Sequence, residues 1–157
     1  MIWTEWDPLK EIIVGKVYDP ADIAHIEDVE FRNGLQRIFE ESEEDFCKLT
    51  ELFESYGVQV HRPRCEYKGD FRYPAVCPRD MHVVYGEQVV GTIGGDPNRF
   101  YEREHYNDII FGLNRKYSAM PTPTLGSFYQ PYVAHEGTPL YHAANILKCG
   151  DTLIHTA

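Results

Sequence analysis

The longest periodic segment of the chain lies between two short stretches rich in β-branched residues, and this order constrains the fold most strongly. From Leu35 to Tyr56, apolar residues recur at helical spacing while charged residues fill the opposite face. Gly57 follows where a left-handed C-terminal cap belongs. Leu9–Val17 and Val58–His61 flank this helix and have the composition of strands. The pattern predicts a strand–helix–strand unit and an α/β (or α+β) fold. The expected buried stripe of the helix comprises Leu35, Ile38, Phe39, Phe46, Leu49, Leu52, Phe53 and Tyr56.

A second pattern, two short apolar strands around a glycine turn, occurs twice. Met81–Tyr85 and Gln88–Thr92 flank Gly86, the first residue of a pair suited to a two-residue type II′ turn. Ala144–Cys149 and Thr152–Thr156 flank a Gly-Asp pair about 65 residues later. The recurrence predicts two hairpins and indicates a repeated strand–strand–helix unit.

The remaining segments are predicted from their turn-forming and apolar residues. Tyr18–Arg32 is acidic and irregular, so we expect a loop with at most a helical turn. Arg64–Tyr73 is predicted to be a second loop. Pro97–Leu113 has an apolar face compatible with a helix. Pro121–Thr124 contains two prolines and is expected to form an extended connector.

Length and charge restrict the class of protein. A chain of 157 residues fits one domain, here residues 1–157, and can bury a hydrophobic core. Its net charge of −10 argues against non-specific nucleic-acid binding, which needs a basic surface. The charge is more compatible with a cationic small molecule.

The N-terminus and the cysteines predict a cytoplasmic protein without a metal site. The first residues lack the basic and apolar regions of a secretory signal, and no 18-residue apolar run could span a bilayer. The cysteines are therefore expected to be thiols. No C-x-x-C pair occurs, so a structural zinc site is not expected. The four cysteines are Cys47, Cys65, Cys77 and Cys149.

Arg79 and Asp80 immediately precede the first predicted hairpin. A carboxylate held at the end of a strand can bind a planar guanidinium through two parallel hydrogen bonds, which makes Asp80 the first candidate for substrate binding. The alternative is structural, because Asp80 could instead pair with Arg79 or Arg72, or cap the turn before the hairpin.

His142 and Asn145 enclose two alanines just before the second predicted hairpin. A histidine there could act as a base, and the small alanines would let a ligand approach. The alternative is a half-buried histidine bonded to a backbone carbonyl, which is the more common arrangement.

Further candidates have a weaker basis. Cys77 and Cys149 could be nucleophiles if their pKa values were lowered, but an inert role is expected for both. Arg99 and Arg103 could bind a carboxylate or simply keep a surface solvated. No P-loop, dinucleotide fingerprint or serine nucleophile elbow is present.

Five segments in one order resemble the amidinotransferase family, in its glycine and inosamine-phosphate types. They are Glu5–Gly15, Gly57–Pro63, Cys77–Asp80, Asn98–Glu102 and Tyr141–Leu147. The resemblance covers nearly the whole chain and corresponds to the N-terminal half of the family. It implies a partial pentein-type α/β propeller, with about two to two and a half of five ββαβ modules in this chain. The abrupt end at Ala157 agrees with that expectation.

The resemblance also implies an activity. Family members move an amidino group from arginine to an amine through a cysteine intermediate, without a cofactor, while a His–carboxylate pair shuttles protons. Asp80, with Arg79 and Asn145, is then the substrate-binding set. His142 stands where the family has an acidic residue, so either His142 changes the acid–base role or the substrate differs; we assign His142 a catalytic role.

The nucleophilic cysteine and catalytic histidine of the family are expected beyond this chain, so the chain alone is predicted to be inactive. The expected partners are a guanidino substrate, an amine acceptor, and either further copies of the chain or a completing C-terminal chain. Nucleic acid and membranes are not expected partners. The alternatives are a non-catalytic module that binds guanidino compounds and a part of a related hydrolase.

Overall fold

The computed structural model describes residues 1–66, 73–93, 99–120 and 142–155. The seven strands of these ranges are β1 (Glu11–Ile13), β2 (Gln59–His61), β3 (His82–Tyr85), β4 (Gln88–Gly91), β5 (Lys116–Ala119), β6 (Ile146–Cys149) and β7 (Thr152–His155). The α-helices are α1 (Val29–Ser55), α2 (Pro78–Met81) and α3 (Asn107–Gly112), and shorter 3₁₀ turns span Pro20–Ile23, Glu102–Tyr106 and Ala143–Asn145. The predicted connector Pro121–Thr124 and most of the predicted loop Arg64–Tyr73 lie outside the described residues.

The predicted strand–helix–strand unit is present. β1 and β2 pair in parallel, with Ile13 opposite His61, and α1 connects them. The helix begins six residues before the predicted start because the Asp28 side chain accepts the Phe31 backbone N–H at 3.0 Å and caps it. The expected loop to Arg32 is therefore wrong from Val29 onward. Gly57 has φ of +75°, as its predicted capping role requires.

The predicted buried stripe of α1 is only partly correct. Phe39 is buried, while Leu35, Phe46 and Phe53 are partly buried. Four other members of the stripe are exposed, namely Ile38, Leu49, Leu52 and Tyr56. The helix packs mainly against the Pro20–Ile23 turn and β2, and these elements are too narrow to cover its whole apolar face.

A three-stranded sheet follows, in the order β3–β4–β5. The predicted hairpin is confirmed, and Gly86 at its turn has φ of +61°. β5 was not predicted, because its sequence carries a weak strand signal. It lies parallel to β4 after a helical connection. The predicted helix Pro97–Leu113 is divided in the described residues into the Glu102–Tyr106 turn and α3.

The second hairpin, β6–β7, has the same local plan as the first. Gly86 and Gly150 lie 64 positions apart and both have positive φ. A short helical turn precedes each hairpin, α2 in one case and Ala143–Asn145 in the other. The N-terminal segment connects the two, because Ile2 bridges to Gly86 and Thr4 bridges to Cys149.

One buried cluster joins α1, the β3–β4 hairpin and α3. Burial of this apolar surface is the main source of its stability. Among the described residues, no helix is both long and apolar enough to cross a membrane. The members of the buried cluster include Val17, Tyr18, Ile23, Phe39, Met81, Val89, Tyr106 and Ile110.

Candidate functional site

Arg79 and Asp80 lie on α2, a single helical turn, and not at the end of a strand as predicted. Proline at the first helical position favours this turn, because its fixed φ suits a helix start. The Asp80 N–H donates to the Cys77 carbonyl at 3.0 Å. The hydroxyl of the buried Thr92 donates to the Asp80 carbonyl at 3.2 Å. The backbone of Asp80 is thus held from two sides.

The Asp80 carboxylate contacts a guanidinium belonging to the chain itself. Arg99 Nη1 donates to Asp80 Oδ2 at 2.8 Å, and Arg99 Nε donates to Glu102 Oε2 at 2.6 Å. The Asp80 side chain is 26% exposed, so one side of it reaches solvent. The structural alternative for Asp80 therefore holds in part, but with Arg99 and not with Arg79; Arg72 lies outside the described residues.

Glu102 is the buried member of the cluster formed by Asp80, Arg99 and Glu102. Its side chain is fully buried, and it also accepts the Cys77 backbone N–H at 3.4 Å. Burial raises the pKa of Glu102 above its ordinary value, although the bonds from Arg99 and from the Cys77 N–H oppose the shift. Two carboxylates thus share one arginine, and this arrangement fixes Arg99 against Asp80.

His142 and Asn145 lie close to α2 in the fold. The Ala143–Asn145 turn packs against α2, which brings together the two motifs predicted to form a site. The Asn145 N–H donates to the His142 carbonyl at 3.0 Å and closes the turn. Within the described residues, His142 Nδ1 is buried and has no hydrogen-bond partner. Among the described residues this nitrogen therefore lacks the bond to a backbone carbonyl that the alternative for His142 predicts.

The weaker candidates have ordinary structural surroundings. All four cysteines are free thiols. Partial burial and the nearby carboxylates of Asp80 and Glu102 raise the pKa of Cys77, which makes it a poor nucleophile. Arg103 donates to the Met120 carbonyl at 2.7 Å. Arg99 does bind carboxylates, as one alternative predicted, but they are those of Asp80 and Glu102 in the protein itself.

A cavity of about 780 Å³ opens on another side of α2, between β1 and β3. Arg79 lines it and has a 61% exposed side chain. His61 and Glu11 also line it, with His61 Nε2 lying 2.8 Å from Glu11 Oε1. Sequence reasoning missed this pair. Alternation along β1 and the parallel register were the available signals, because Glu11 and Ile13 share a face and Ile13 lies opposite His61.

His82, at the start of β3, also lines the cavity and was missed. It is only 8% exposed, and its ring meets that of Tyr106 edge-on with centroids 5.3 Å apart. The Pro78 carbonyl lies near the ring, but neither ring nitrogen forms a hydrogen bond of good geometry to a described residue. Burial lowers the pKa of His82 to about 4, so the ring is neutral near pH 7.

Comparisons of sequence connect the chain with amidinotransferases, although no family model matches it. It is 28% identical to inosamine-phosphate amidinotransferase 1 of Streptomyces glaucescens, with 98% of this chain and 54% of that protein covered. It is 24% identical to the mitochondrial glycine amidinotransferase of Gallus gallus, with 94% and 46% covered. The chain thus spans about half the length of the curated relatives it matches.

Solved structures lead to the same group. An amidinotransferase of Microseira wollei matches with a TM-score of 0.71 at 22% identity, over 98% of this chain and 53% of that one. An inosamine-phosphate amidinotransferase of Streptomyces griseus matches with a TM-score of 0.69 at 25% identity, over 98% and 54%. The resemblance of the five sequence segments is therefore confirmed. The chain is similar to amidinotransferases over nearly its whole length, has a mixed α/β fold, and corresponds to about half of such a protein.

Proposed function

We propose that this chain forms the guanidinium-binding half of an amidinotransferase-type enzyme. Asp80 binds the guanidino group of arginine, Arg79 and Asn145 complete the substrate contacts, and His142 takes part in proton transfer. The nucleophilic cysteine and the catalytic histidine come from polypeptide outside this chain. The isolated chain is therefore inactive.

The observation that carries this proposal is the similarity to amidinotransferases across nearly the whole chain, combined with the position of Asp80. Its backbone is held by Cys77 and Thr92, and its element packs against the turn that carries Asn145. The contact with Arg99 supports the assignment, because the Asp80 carboxylate already accepts a guanidinium hydrogen bond at 2.8 Å.

The proposed reaction is a double displacement. A cysteine thiolate attacks the guanidino carbon of arginine, the carbon–nitrogen bond to ornithine breaks, and a proton goes to the leaving amine. The amine acceptor then attacks the amidino-cysteine, releases the thiolate and gives up a proton. In both steps Asp80 would hold the positively charged amidino group in place.

The proposed fold is an incomplete pentein-type propeller of two to two and a half ββαβ modules. The two hairpins that start 64 positions apart, each after a helical turn, support a repeated module. A closed ring of five modules would need further polypeptide, supplied in the same chain or by another one.

Calorimetry with arginine tests the assignment of Asp80. We expect weak, saturable binding that is lost in Asp80→Asn, since the neutral amide cannot pair with a guanidinium. Asp108→Asn is the matched control, because Asp108 is exposed on α3 and is not one of the proposed site residues. Equal binding by both variants would remove Asp80 from the proposal.

An activity assay separates transfer from its alternatives. We expect no ornithine release from arginine and glycine by the 157-residue chain alone. Tight arginine binding without a completing chain would favour a non-catalytic binding module instead. Citrulline formation after completion would favour a hydrolase, in which water replaces the amine.

A further inference from the structure

The cavity between β1 and β3 has features that amidino transfer at Asp80 does not use. Its volume of about 780 Å³ is in the range of small-molecule sites, roughly 300–1,000 Å³. Apolar strand residues such as Ile13 and Val83 form much of its wall. Asp80 does not line it but the neighbouring Arg79 does, so the cavity lies beside the proposed guanidinium site and shares Arg79 with it.

Two cations at this cavity share one carboxylate without a hydrogen bond to it. Arg79 Nη2 lies 3.9 Å from Glu5 Oε1, and Lys148 Nζ lies 3.8 Å from Glu5 Oε2. Both distances exceed that of a hydrogen bond. Glu5 also accepts the Lys148 backbone N–H at 3.2 Å, which uses part of its capacity. The cations therefore retain donors for a second anion.

The wall also carries the carboxylates of Asp7, Glu11 and Glu87 and the cations Lys10 and Arg115, and two of these carboxylates are already engaged. Asp7 Oδ2 accepts the backbone N–H groups of Trp3 at 2.6 Å and Thr4 at 2.9 Å. Glu11 pairs with His61 at 2.8 Å. The local balance of hydrogen-bond donors thus favours an anionic ligand over a cationic one, despite the acidity of the whole chain.

His82 adds a neutral polar group to the same cavity. It is 8% exposed, and neither of its nitrogens forms a hydrogen bond of good geometry to a described residue, although the Pro78 carbonyl lies near the ring. Buried polar groups without partners are costly, and such groups are uncommon in folded proteins. A neutral imidazole offers one donor and one acceptor, and a hydroxyl group can satisfy either.

We propose that this cavity binds a small aliphatic hydroxy-carboxylate. The carboxylate lies between Arg79 and Lys148, the aliphatic body lies along the apolar strand residues, and the hydroxyl bonds to His82. The site is a second one beside that of the guanidinium, with Arg79 common to both, and its binding of the hydroxy acid does not depend on amidino transfer.

NMR titration with 5-hydroxypentanoate tests the site, with the neutral 5-hydroxypentanamide as the matched ligand. We expect saturable shifts at residues of the cavity and at least about tenfold weaker binding of the amide, since a charge-assisted hydrogen bond is lost. Lys148→Gln and Arg79→Gln should each weaken binding of the acid about tenfold. Lys48→Gln is the control, because Lys48 is an exposed residue of α1 that does not line the cavity.

A second comparison tests the role of His82. The hydroxy acid should bind more tightly than pentanoate, and His82→Leu should abolish that difference while leaving pentanoate binding in place. The proposal is overturned if acid and amide bind equally, if Lys148→Gln and Arg79→Gln change nothing, or if no saturable shift appears at tens of millimolar ligand. Equal binding of the hydroxy acid and pentanoate by the unmodified chain would exclude the contact with His82.

Discussion

Arg99 Nη1 lies 2.8 Å from Asp80 Oδ2, so the carboxylate proposed to bind a substrate guanidinium already contacts one from the chain itself. The same arginine bonds to the fully buried Glu102 at 2.6 Å. An incoming arginine must therefore share Asp80 with Arg99 or displace it. Arg99 also pairs with the buried Glu102. If Arg99 and the substrate share Asp80, Arg99 can stay in place and the Glu102 charge remains paired.

Removal of Arg99 should destabilise the fold strongly. Arg99→Leu leaves Glu102 buried without its cation, and we expect a loss of about 3–5 kcal/mol in the free energy of unfolding. The double variant R99L/E102L should be more stable than R99L, because the orphaned charge is gone. Urea denaturation measures both. Arg37→Leu, which removes an exposed pair with Glu41, should cost less than about 1 kcal/mol. If Arg99→Leu costs no more than this control, the buried cluster does not contribute to stability.

Acid should weaken the fold through His82. Its folded-state pKa of about 4 lies below the ordinary value of 6.5, so the unfolded chain binds the proton more tightly. Above pH 6.5, His82 therefore adds no pH dependence to the free energy of unfolding. Between pH 6.5 and pH 4 it lowers that free energy as the pH falls, by about 3 kcal/mol in all. Urea denaturation across this range should show a shallower decline for His82→Leu. His25→Gln, at an exposed position, should retain the full decline. Parallel curves for His82→Leu and the unmodified chain would contradict the assignment.

Two glycines with positive φ should differ in their tolerance of alanine. At Gly57 a new Cβ meets nothing within 4 Å, so Gly57→Ala should cost only the backbone strain, about 1–2 kcal/mol. At Gly86 the Cβ would lie 2.6 Å from Trp3 Cη2, and the Trp3 ring packs edge-on against Tyr85. Gly86→Ala should therefore be the more destabilising change and should alter tryptophan fluorescence. Equal unfolding midpoints for the two variants would show that packing of Trp3 against the Gly86 turn does not contribute to stability.

Exposed apolar residues on β7 should promote self-association. Leu153 is 49% exposed and Ile154 is 47% exposed, and within the described residues β7 pairs only with β6. An edge strand with apolar side chains is a template for pairing with another chain. Sedimentation should detect oligomers at high concentration, and Ile154→Lys should reduce them. Ile38→Lys is the matched control, because Ile38 is 56% exposed, somewhat more than Ile154, but lies on α1. A monomer at all concentrations would contradict this expectation.

Local chemistry in the sequence was sufficient for several elements. Helical periodicity and Gly57 located α1, and Gly86 and Gly150 located both hairpins, because turn and cap geometry depends on neighbouring residues. The resemblance to amidinotransferases also came from sequence alone. The start of α1 was missed because the capping signal at Asp28 lies within a stretch of acidic residues.

Tertiary structure decided the rest. Arg99 became the partner of Asp80 across 19 positions through packing that no local pattern encodes. Glu11 met His61 across 50 positions because the register between β1 and β2 places them on one face. The burial of His82 and the pairing of β5 with β4 likewise depend on which surfaces come together. Sequence alone determined the local elements and the family resemblance. Only the fold determined which charges are shared, because burial and long-range register arise when the elements pack against one another.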